Sequence, residues 1–282
     1  MEPVIMQDKL NISVVLVVKN EEDRIEDALI SINSSKLLPS EIIVIDGDSS
    51  DRTVEIAKKY TNKIFISKNS NLTDDRQIGI NKASNDLIAM IDADHRITEN
   101  TFSDMISDLS KYKLDIVQAS IFAPGDYFWC KAETESLDLT TNVPGLKKMI
   151  GVAPNIYKKE IFNFIQFDSH ITKTIDDTDF MYRLHKLKKY RLGTSPTRVV
   201  NLHISTFNDY VNKFIWYGLG DGEFCKKHKN RMPSMLFHLA IRYPILYPLK
   251  ALVHLKFRAI PYFMLMGLIR LYACTKEIMK KS

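Results

Sequence analysis

The chain has 282 residues, 45% hydrophobic content and a formal net charge of +5, which suits one large domain or a domain with an appendage. Its three cysteines lie far apart without a C-x-x-C pair, which argues against a disulfide framework or a cysteine zinc site and suits a reducing compartment. The first eight residues lack the basic and then apolar pattern of a secretory signal, so we expect no such signal.

The first half of the sequence alternates strand and helix patterns. Ile12 to Val18 is an apolar, β-branched run that predicts a buried strand. Apolar residues at i, i+3, i+4 and i+7 from Ile25 to Ile32 predict one buried face of the helix that follows. The alternation continues with strands predicted at Ile42 to Ile45, Lys63 to Ser67 and Leu87 to Ile91. This order implies an α/β fold with a mostly parallel sheet covered by helices on both faces.

Two carboxylates follow the last of these strands. Asp92 and Asp94 come directly after the apolar run Leu87 to Ile91. The carboxyl edge of a parallel sheet is where α/β folds bind ligands. Mg²⁺ is typically held by one or two carboxylates together with substrate phosphates. The pair therefore predicts a metal and diphosphate site, although acids after a strand also cap helices.

The character of the sequence changes near Tyr210. Residues 1–209 have a net charge of −5, whereas residues 210–282 carry 13 Lys/Arg and 3 Asp/Glu. The longest uncharged apolar run of this tail, Ala259 to Ile269, is too short to span a bilayer. Basic, aromatic and amphipathic segments suit a membrane interface, and a basic tail fits phospholipid or nucleic acid. We therefore predict a domain over 1–209 and a basic amphipathic helical segment, at the membrane interface, over 210–282.

Six motifs, in this order, resemble those of family 2 glycosyltransferases with the GT-A fold. They are Val17-Val18-Lys19-Asn20-Glu21, the run Ile45 to Thr53, Arg76 ahead of Asn81, Asp92-Ala93-Asp94, Phe167-Asp168, and Asp176-Asp177-Thr178-Asp179 leading to Arg183-Leu184. The resemblance covers roughly residues 12–205 and implies a Rossmann-like sheet with a C-terminal amphipathic helical segment. The run Trp216 to Gly220 gives a looser similarity to members that act on lipid-linked or membrane-proximal acceptors.

The resemblance implies a site for a nucleotide-diphosphate sugar, with UDP as the expected nucleotide and Mg²⁺ or Mn²⁺ as the metal. It implies Asp177 as general base, and metal ligation by Asp92, Asp94 and His203. It also implies a set of donor contacts: Val17, Lys19, Glu21, Asp46, Asp48, Arg76 and Asp92. Where the family often has two adjacent acids, this chain has Gly47 between Asp46 and Asp48, so either acid is a candidate for the contact with the base.

Several of these residues also fit structural roles. Asn20 followed by acids is typical of a helix start, and the acids from Asp176 fit a helix N-terminus stabilised by the helix dipole. An arginine on a helix, such as Arg76, is usually solvated surface. A lone histidine such as His203 more often has a structural or surface role.

These patterns together predict an inverting glycosyltransferase that is peripheral on the cytoplasmic face of an anionic membrane. Its acceptor is expected to be a hydroxyl of a lipid-linked or membrane-proximal glycan, and no nucleic acid is expected as a partner. One alternative is a nucleotidyltransferase, but the place of its Gly-rich phosphate loop holds the acidic run Lys19 to Glu22. The other is a non-catalytic protein that binds lipid or nucleic acid through the tail, although no nucleic-acid-binding motif is present.

Overall fold

The computed structural model describes residues 9–171, 175–202 and 206–280, and the chain divides into two compact units. The first, here called the sheet unit, contains the residues up to Ser120 together with Pro144–Ser169 and Phe180–Val200. The second, here called the helical unit, contains Ile121–Val143, His170–Asp179 and the residues from Asn201 onward. Each unit is described by itself below.

The strands of the sheet are β1 (Lys9–Val18), β2 (Leu38–Asp46), β3 (Lys63–Ile66), β4 (Leu87–Met90), β5 (His95–Arg96), β6 (Ile116–Phe122), β7 (Gly145–Lys147), β8 (Asn155–Lys158) and β9 (Leu192–Asn201). The α-helices are α1 (Ile25–Asn33), α2 (Thr53–Ala57), α3 (Leu72–Lys82), α4 (Thr101–Lys111), α5 (Phe128–Asp138), α6 (Asp176–Lys186), α7 (Phe207–Lys227), α8 (Met232–Phe237), α9 (Tyr247–Val253) and α10 (Ala259–Met279). Short 3₁₀ turns occupy Lys159–Asn163 and Lys229–Arg231, and a π-helical segment occupies His238–Leu246.

The strand order of the sheet is β3-β2-β1-β4-β8-β6-β9-β5, with β7 paired to β9. The strands β3, β2, β1 and β4 run parallel, and β8 is antiparallel to both of its neighbours. The predicted α/β class, with a sheet covered by helices and helices at the C-terminal end, is confirmed. Val18 lies opposite Asp46, and Val15 opposite Met90. The carboxyl ends of β1, β2 and β4 therefore meet at one edge, here called the carboxyl edge.

Helices on both faces bury the apolar strands. The predicted face of α1 is buried against the sheet unit, from Ile25 to Ile32. On α3, a Cβ added at Gly79 would lie 2.3 Å from Cγ1 of Val15, so this helix lies directly on β1. Since α3 runs back along the sheet after β3, its first turns, with Arg76, lie toward the carboxyl edge.

At the opposite end of β2, Glu41 is a buried carboxylate with several donors. Its oxygens accept from the Lys63 ammonium and from the hydroxyls of Ser13 and Ser84. Burial raises the pKa of Glu41, but these donors outweigh burial and lower it to about 2. This carboxylate therefore ties β1, β2, β3 and the start of β4 together in its ionised form.

We expect Glu41→Gln to lower the free energy of unfolding at neutral pH by about 2 to 3 kcal/mol. Because the pKa of Glu41 is lower in the folded protein, this stabilisation is fully present when the pH is above the ordinary pKa of 4.5. It is lost as the pH falls toward the folded pKa of about 2. Urea unfolding of both proteins between neutral and strongly acidic pH measures the difference. A difference that stays constant as the pH falls would contradict the role of the ionised carboxylate.

In the helical unit, α7 and α10 pack with their backbones close together. A Cβ at Gly218 would lie 2.6 Å from the carbonyl oxygen of Arg270, and one at Gly222 would lie 2.5 Å from Cβ of Glu277. Between these contacts, the Arg270 guanidinium forms two hydrogen bonds of 2.8 Å to the fully buried Asp221 carboxylate. Within the described part of the chain, no helix combines the length and apolar character needed to cross a membrane.

Candidate active site

The carboxyl edge begins with two loops that are hydrogen-bonded to each other. The main-chain N–H of Asn20 donates to the Ser49 hydroxyl at 2.8 Å, and the N–H of Ser50 donates to Oδ1 of Asn20 at 2.9 Å. The N–H of Glu21 donates to the Thr53 hydroxyl at 2.8 Å. The expectation that Asn20 caps a helix is therefore wrong, since α1 begins at Ile25 and this side chain bonds to the neighbouring loop.

The two candidate contacts for a nucleoside base lie in the second of these loops. Asp46 is fully buried at the end of β2, where its two oxygens accept from the N–H and hydroxyl of Ser49 at 2.8 and 2.6 Å. Asp48 is exposed and has a left-handed backbone with φ of 62°. Asp46 thus has a demonstrable role in shaping the loop, and Asp48 is the carboxylate that faces solvent.

Val17, on β1, and Lys19, directly after this strand, are placed differently. The Val17 side chain packs against the core of the sheet unit, so a ligand would meet its main chain. The Lys19 side chain is exposed and passes within 3.4 Å of the position that a Cβ of Gly47 would occupy. Any larger residue at Gly47 would therefore displace Lys19 or the neighbouring Asp75 carboxylate.

Asp92 and Asp94 lie together in the turn after β4, as the sequence predicts. The ligand atoms of Asp92, Asp94 and His95 all lie within 4.8 Å of one another. Arg76 is buried on α3, with its guanidinium 3.6 Å from Oδ1 of Asp92. It is therefore not the solvated arginine that helices usually carry, and its cation faces the Asp92 carboxylate.

Glu21 adds a third carboxylate to this part of the edge. Burial raises the pKa of Glu21, the ion pair with Arg24 at 2.8 Å lowers it, and Asp94 and Asp92 raise it further. The effect of Asp92 and Asp94 on Glu21 means that the three carboxylates lie near one another. Carboxylate oxygens are the ligands that Mg²⁺ and Mn²⁺ prefer, so the residues present fit a divalent cation.

His95 is a site residue that sequence reasoning missed, although it directly follows Asp94. Its buried ring accepts the main-chain N–H of Asp92 at Nδ1, 3.1 Å away, and its Nε2 lies 3.9 Å from Oδ1 of Asp94. Because Nδ1 is an acceptor, the neutral ring carries its proton on Nε2, which faces the Asp94 carboxylate. In this arrangement His95 fixes the main chain of Asp92 and places its Nε2 beside the Asp94 carboxylate.

We expect His95→Ala to weaken metal-dependent nucleotide binding by about 10- to 100-fold, the usual effect of removing a group that orients metal ligands. In His95→Asn, the side-chain oxygen can replace Nδ1 as acceptor for Asp92, so this variant should recover part of the loss. Calorimetric titration of both variants, with the midpoint of thermal unfolding as control, measures the effect. Equal binding by the alanine variant and the original protein would contradict it.

Asp177, the candidate base, belongs to the helical unit and lies in the first turn of α6. Its Oδ1 accepts from the Thr178 hydroxyl at 3.1 Å. Burial raises the pKa of Tyr217, Lys213 lowers it and Asp177 raises it, so the carboxylate lies near this tyrosine. The acidic side chains at the start of α6 also lie where the helix dipole favours the ionised form.

Asp179, two residues further along α6, holds this first turn within the helical unit. Its buried Oδ1 lies 2.7 Å from Nζ of Lys227 and 2.7 Å from Nε2 of His228. The C-terminal end of α7 is thereby joined to the turn that carries Asp177. His203, the predicted third metal ligand, lies outside the described residues.

Comparison with known proteins agrees with this geometry. Residues 13–190 match the Glycosyl transferase family 2. An uncharacterized glycosyltransferase of Rickettsia prowazekii is 24% identical over 202 residues, which cover 67% of this chain and 63% of that protein. An uncharacterized glycosyltransferase of Rickettsia typhi is 35% identical over 88 residues, which cover 31% of this chain and 29% of that protein. The chain thus spans less than two thirds of the length of these relatives.

Among solved structures, the mannosyltransferase PcManGT from Pyrobaculum calidifontis, in complex with GDP-Man and Mn²⁺, has a similar fold. It superposes with a TM-score of 0.63 at 15% identity, over 97% of this chain and 88% of that one. At this identity the likeness concerns the fold, which is the predicted one. The matched residues cover well over half of the sequence and include all the described motifs of the sheet unit. The chain belongs to the Glycosyl transferase family 2.

Proposed function

We propose that the protein is an inverting glycosyltransferase that uses a nucleotide-diphosphate sugar and a divalent cation. The observation that carries the proposal is the cluster of Asp92, Asp94, Arg76 and Glu21 at the carboxyl edge. The carboxylates can hold a cation, and the buried arginine beside them can bind a phosphate. Together they form a site whose charges suit a diphosphate. The family membership of the chain supports the same reaction class.

The donor is proposed to be a UDP-sugar. A carboxylate only accepts hydrogen bonds, and we propose that Asp46 or Asp48 accepts from the ring N–H of uracil. Guanine and thymine also offer such a donor. The similar structures include TarS residues 1–349 of S. aureus in complex with UDP-GlcNAc, as well as the mannosyltransferase complex with GDP-Man. We propose UDP as the nucleotide, with Lys19, Glu21 and the main chain of Val17 as further donor contacts.

The proposed reaction is a single displacement at the anomeric carbon. The acceptor hydroxyl oxygen attacks this carbon while the bond to the diphosphate breaks, and the diphosphate oxygen keeps the electron pair. Asp177 takes the hydroxyl proton, and Arg76 stabilises the charge of the departing diphosphate. A cation held by Asp92 and Asp94 would supply further neutralisation of that charge. Attack opposite the leaving group inverts the anomeric centre.

The acceptor is proposed to be a lipid-linked or membrane-proximal glycan. Residues 210–282, as a basic amphipathic segment, would hold the protein peripherally on the cytoplasmic face, where soluble donors occur. The roughly 1 kcal/mol that each Lys or Arg contributes near an anionic leaflet makes such a surface a favourable partner.

The reaction can be tested without the natural acceptor. The protein is incubated with Mn²⁺, methanol as a surrogate acceptor, and UDP-glucose, UDP-galactose, UDP-N-acetylglucosamine or GDP-mannose in turn. Methyl glycosides do not interconvert between anomers, so proton NMR reports the stereochemistry directly. In these UDP-sugars the sugar is α-linked, so inversion gives a β-methyl glycoside, and we expect this product from one of them. An α-linked product would overturn inversion, and turnover of GDP-mannose alone would overturn the UDP assignment.

A further inference from the structure

A continuous helical stretch of the helical unit has an apolar outer side. α8, the π-helical segment and α9 follow one another without a break from Met232 to Val253. The inner side of this stretch is packed, with Leu239 and Ala251 fully buried. On the outer side, exposed apolar residues recur every three or four positions: Phe237, Ile241, Ile245, Leu249 and Leu252. A stripe with this spacing normally packs against other protein, but this one faces outward.

The turn between α9 and α10 extends this apolar surface. Val253, Leu255 and Phe257 are 79%, 72% and 58% exposed. The turn is closed by a 2.9 Å hydrogen bond from the N–H of Lys256 to the carbonyl of Ala251, and Leu255 has a left-handed backbone with φ of 56°. The fold therefore holds three large apolar side chains outward on an ordered turn, at a backbone angle that leucine disfavours.

The charge of the surrounding sequence is of one sign. Residues 224–276 contain ten Lys and Arg and no Asp or Glu. At least five of these cations pair with carboxylates that lie outside this range: Lys226 with Glu277, Lys227 with Asp179, Lys256 with Asp138, Arg258 with Glu135 and Arg270 with Asp221. On the helical stretch, Arg242 bonds to the His238 ring at 2.6 Å, and Lys250 donates to the carbonyl of Leu139 at 2.6 Å. Neither of these contacts is to a carboxylate. The apolar side is thus accompanied by cations that complement an anionic surface.

We propose that this surface, from Phe237 to Phe257, docks in the interfacial layer of an anionic phospholipid bilayer. The apolar side chains would enter the boundary between head groups and acyl chains, with the basic residues against lipid phosphates. A second copy of the chain is a poorer occupant, because a twofold interface would bring the same cations together. The inference deepens the membrane placement of the proposed function and is independent of the donor chemistry.

The test is sedimentation of the full chain with vesicles of phosphatidylcholine alone or with added phosphatidylglycerol. The tip variant combines Val253→Ser, Leu255→Asn and Phe257→Ser. The matched control replaces three exposed apolar residues of the sheet unit: Ile30→Ser, Leu146→Ser and Phe164→Ser. A charge variant combines Arg242→Gln and Lys250→Gln. Metal-dependent nucleotide binding by each preparation is measured alongside, so that loss of the donor site is recognised separately.

We expect the original protein to sediment with the anionic vesicles, and the tip variant to bind them at least about tenfold more weakly. The sheet-unit control should bind as the original does, and the charge variant should lose much of its preference for anionic lipid. Unchanged vesicle binding by the tip variant would overturn the proposal, as would no vesicle binding by the original protein. A dimer of the original protein that the tip variant converts to a monomer would assign this surface to a second copy.

Discussion

Replacing Asp94 by asparagine is expected to remove metal-dependent nucleotide binding and to lower kcat/KM by about 10³-fold. The oxygens of Asp94 and Asp92 lie within 4.8 Å of one another at the carboxyl edge, and His95 fixes the main chain of Asp92. An amide of the same shape keeps the packing of the turn but removes the charge that a divalent cation requires. The loss should therefore appear in the metal-dependent part of binding, with little change in the midpoint of thermal unfolding.

A matched control for this prediction is Asp104→Asn, which neutralises an exposed carboxylate on α4 of the same unit. It changes the net charge by the same amount and should leave nucleotide binding unaltered. Calorimetric titration with Mn²⁺ and with EDTA separates the two effects. Metal-dependent binding of equal strength in Asp94→Asn and Asp104→Asn would show that Asp94 holds no cation.

Asp177→Asn is expected to lower kcat by about 10²- to 10⁴-fold, the usual contribution of a positioned general base. Nucleotide and metal binding should stay unchanged, because the carboxylates that carry them belong to the sheet unit. The loss should therefore fall on kcat and leave the dissociation constant for the donor nucleotide as it was. The two variants, Asp94→Asn and Asp177→Asn, then separate donor binding from proton transfer.

The comparison for Asp177 is Asp126→Asn, a fully exposed carboxylate of the helical unit. It should keep the full rate with methanol as acceptor. If Asp177→Asn keeps more than about a tenth of the rate while Asp126→Asn is unaffected, the base lies elsewhere. Asp179 would be the next residue to examine, since Lys227 and His228 hold it beside Asp177 in the first turns of α6.

The sheet unit was largely predictable because three of its parallel strands, β1, β2 and β4, are buried on both faces. Such strands appear in the sequence as continuous apolar runs. Ile12 to Val18 can therefore be recognised as a strand without knowledge of the tertiary structure. α5 was missed, because Phe128–Asp138 mixes charged, aromatic and small residues without a clear helical period. Its buried positions are set by the α7 and α10 helices, which the local sequence does not reveal.

The prolines of the C-terminal region show how context overrides a local rule. Because proline usually breaks a helix, the sequence predicts interruptions at Pro244, Pro248 and Pro261, but all three lie within helical segments. Pro244 lies within the π-helical segment, and Pro248 lies in the first turn of α9. At Pro244 the π-helical segment uses hydrogen bonds over five residues and not the pattern of an α-helix, which proline disrupts. At Pro248 the residue lies in the first turn of α9, where the main-chain N–H would have no partner within that helix.

At the candidate site, the sequence located the carboxylates but not the groups that orient them. Asp46 ends one predicted strand and Asp92 follows another. Because these strands are parallel, the sequence alone places both carboxylates at the same edge of the sheet. The hydrogen bonds of His95 and the pairing of Asn20 with Ser50 depend on side-chain directions in loops, which follow no period. A histidine directly after Asp94 was the available signal.

A metal-dependent nucleotide site at Asp92 and Asp94 underlies the proposed function. The most direct test is calorimetric titration of the full chain with UDP, GDP, CDP and dTDP, each with Mn²⁺ and each with EDTA. We expect UDP to bind with Mn²⁺ and EDTA to remove this binding, whereas CDP should bind more weakly under both conditions. Binding of no nucleotide in the presence of Mn²⁺, or UDP binding that EDTA leaves unchanged, would contradict it.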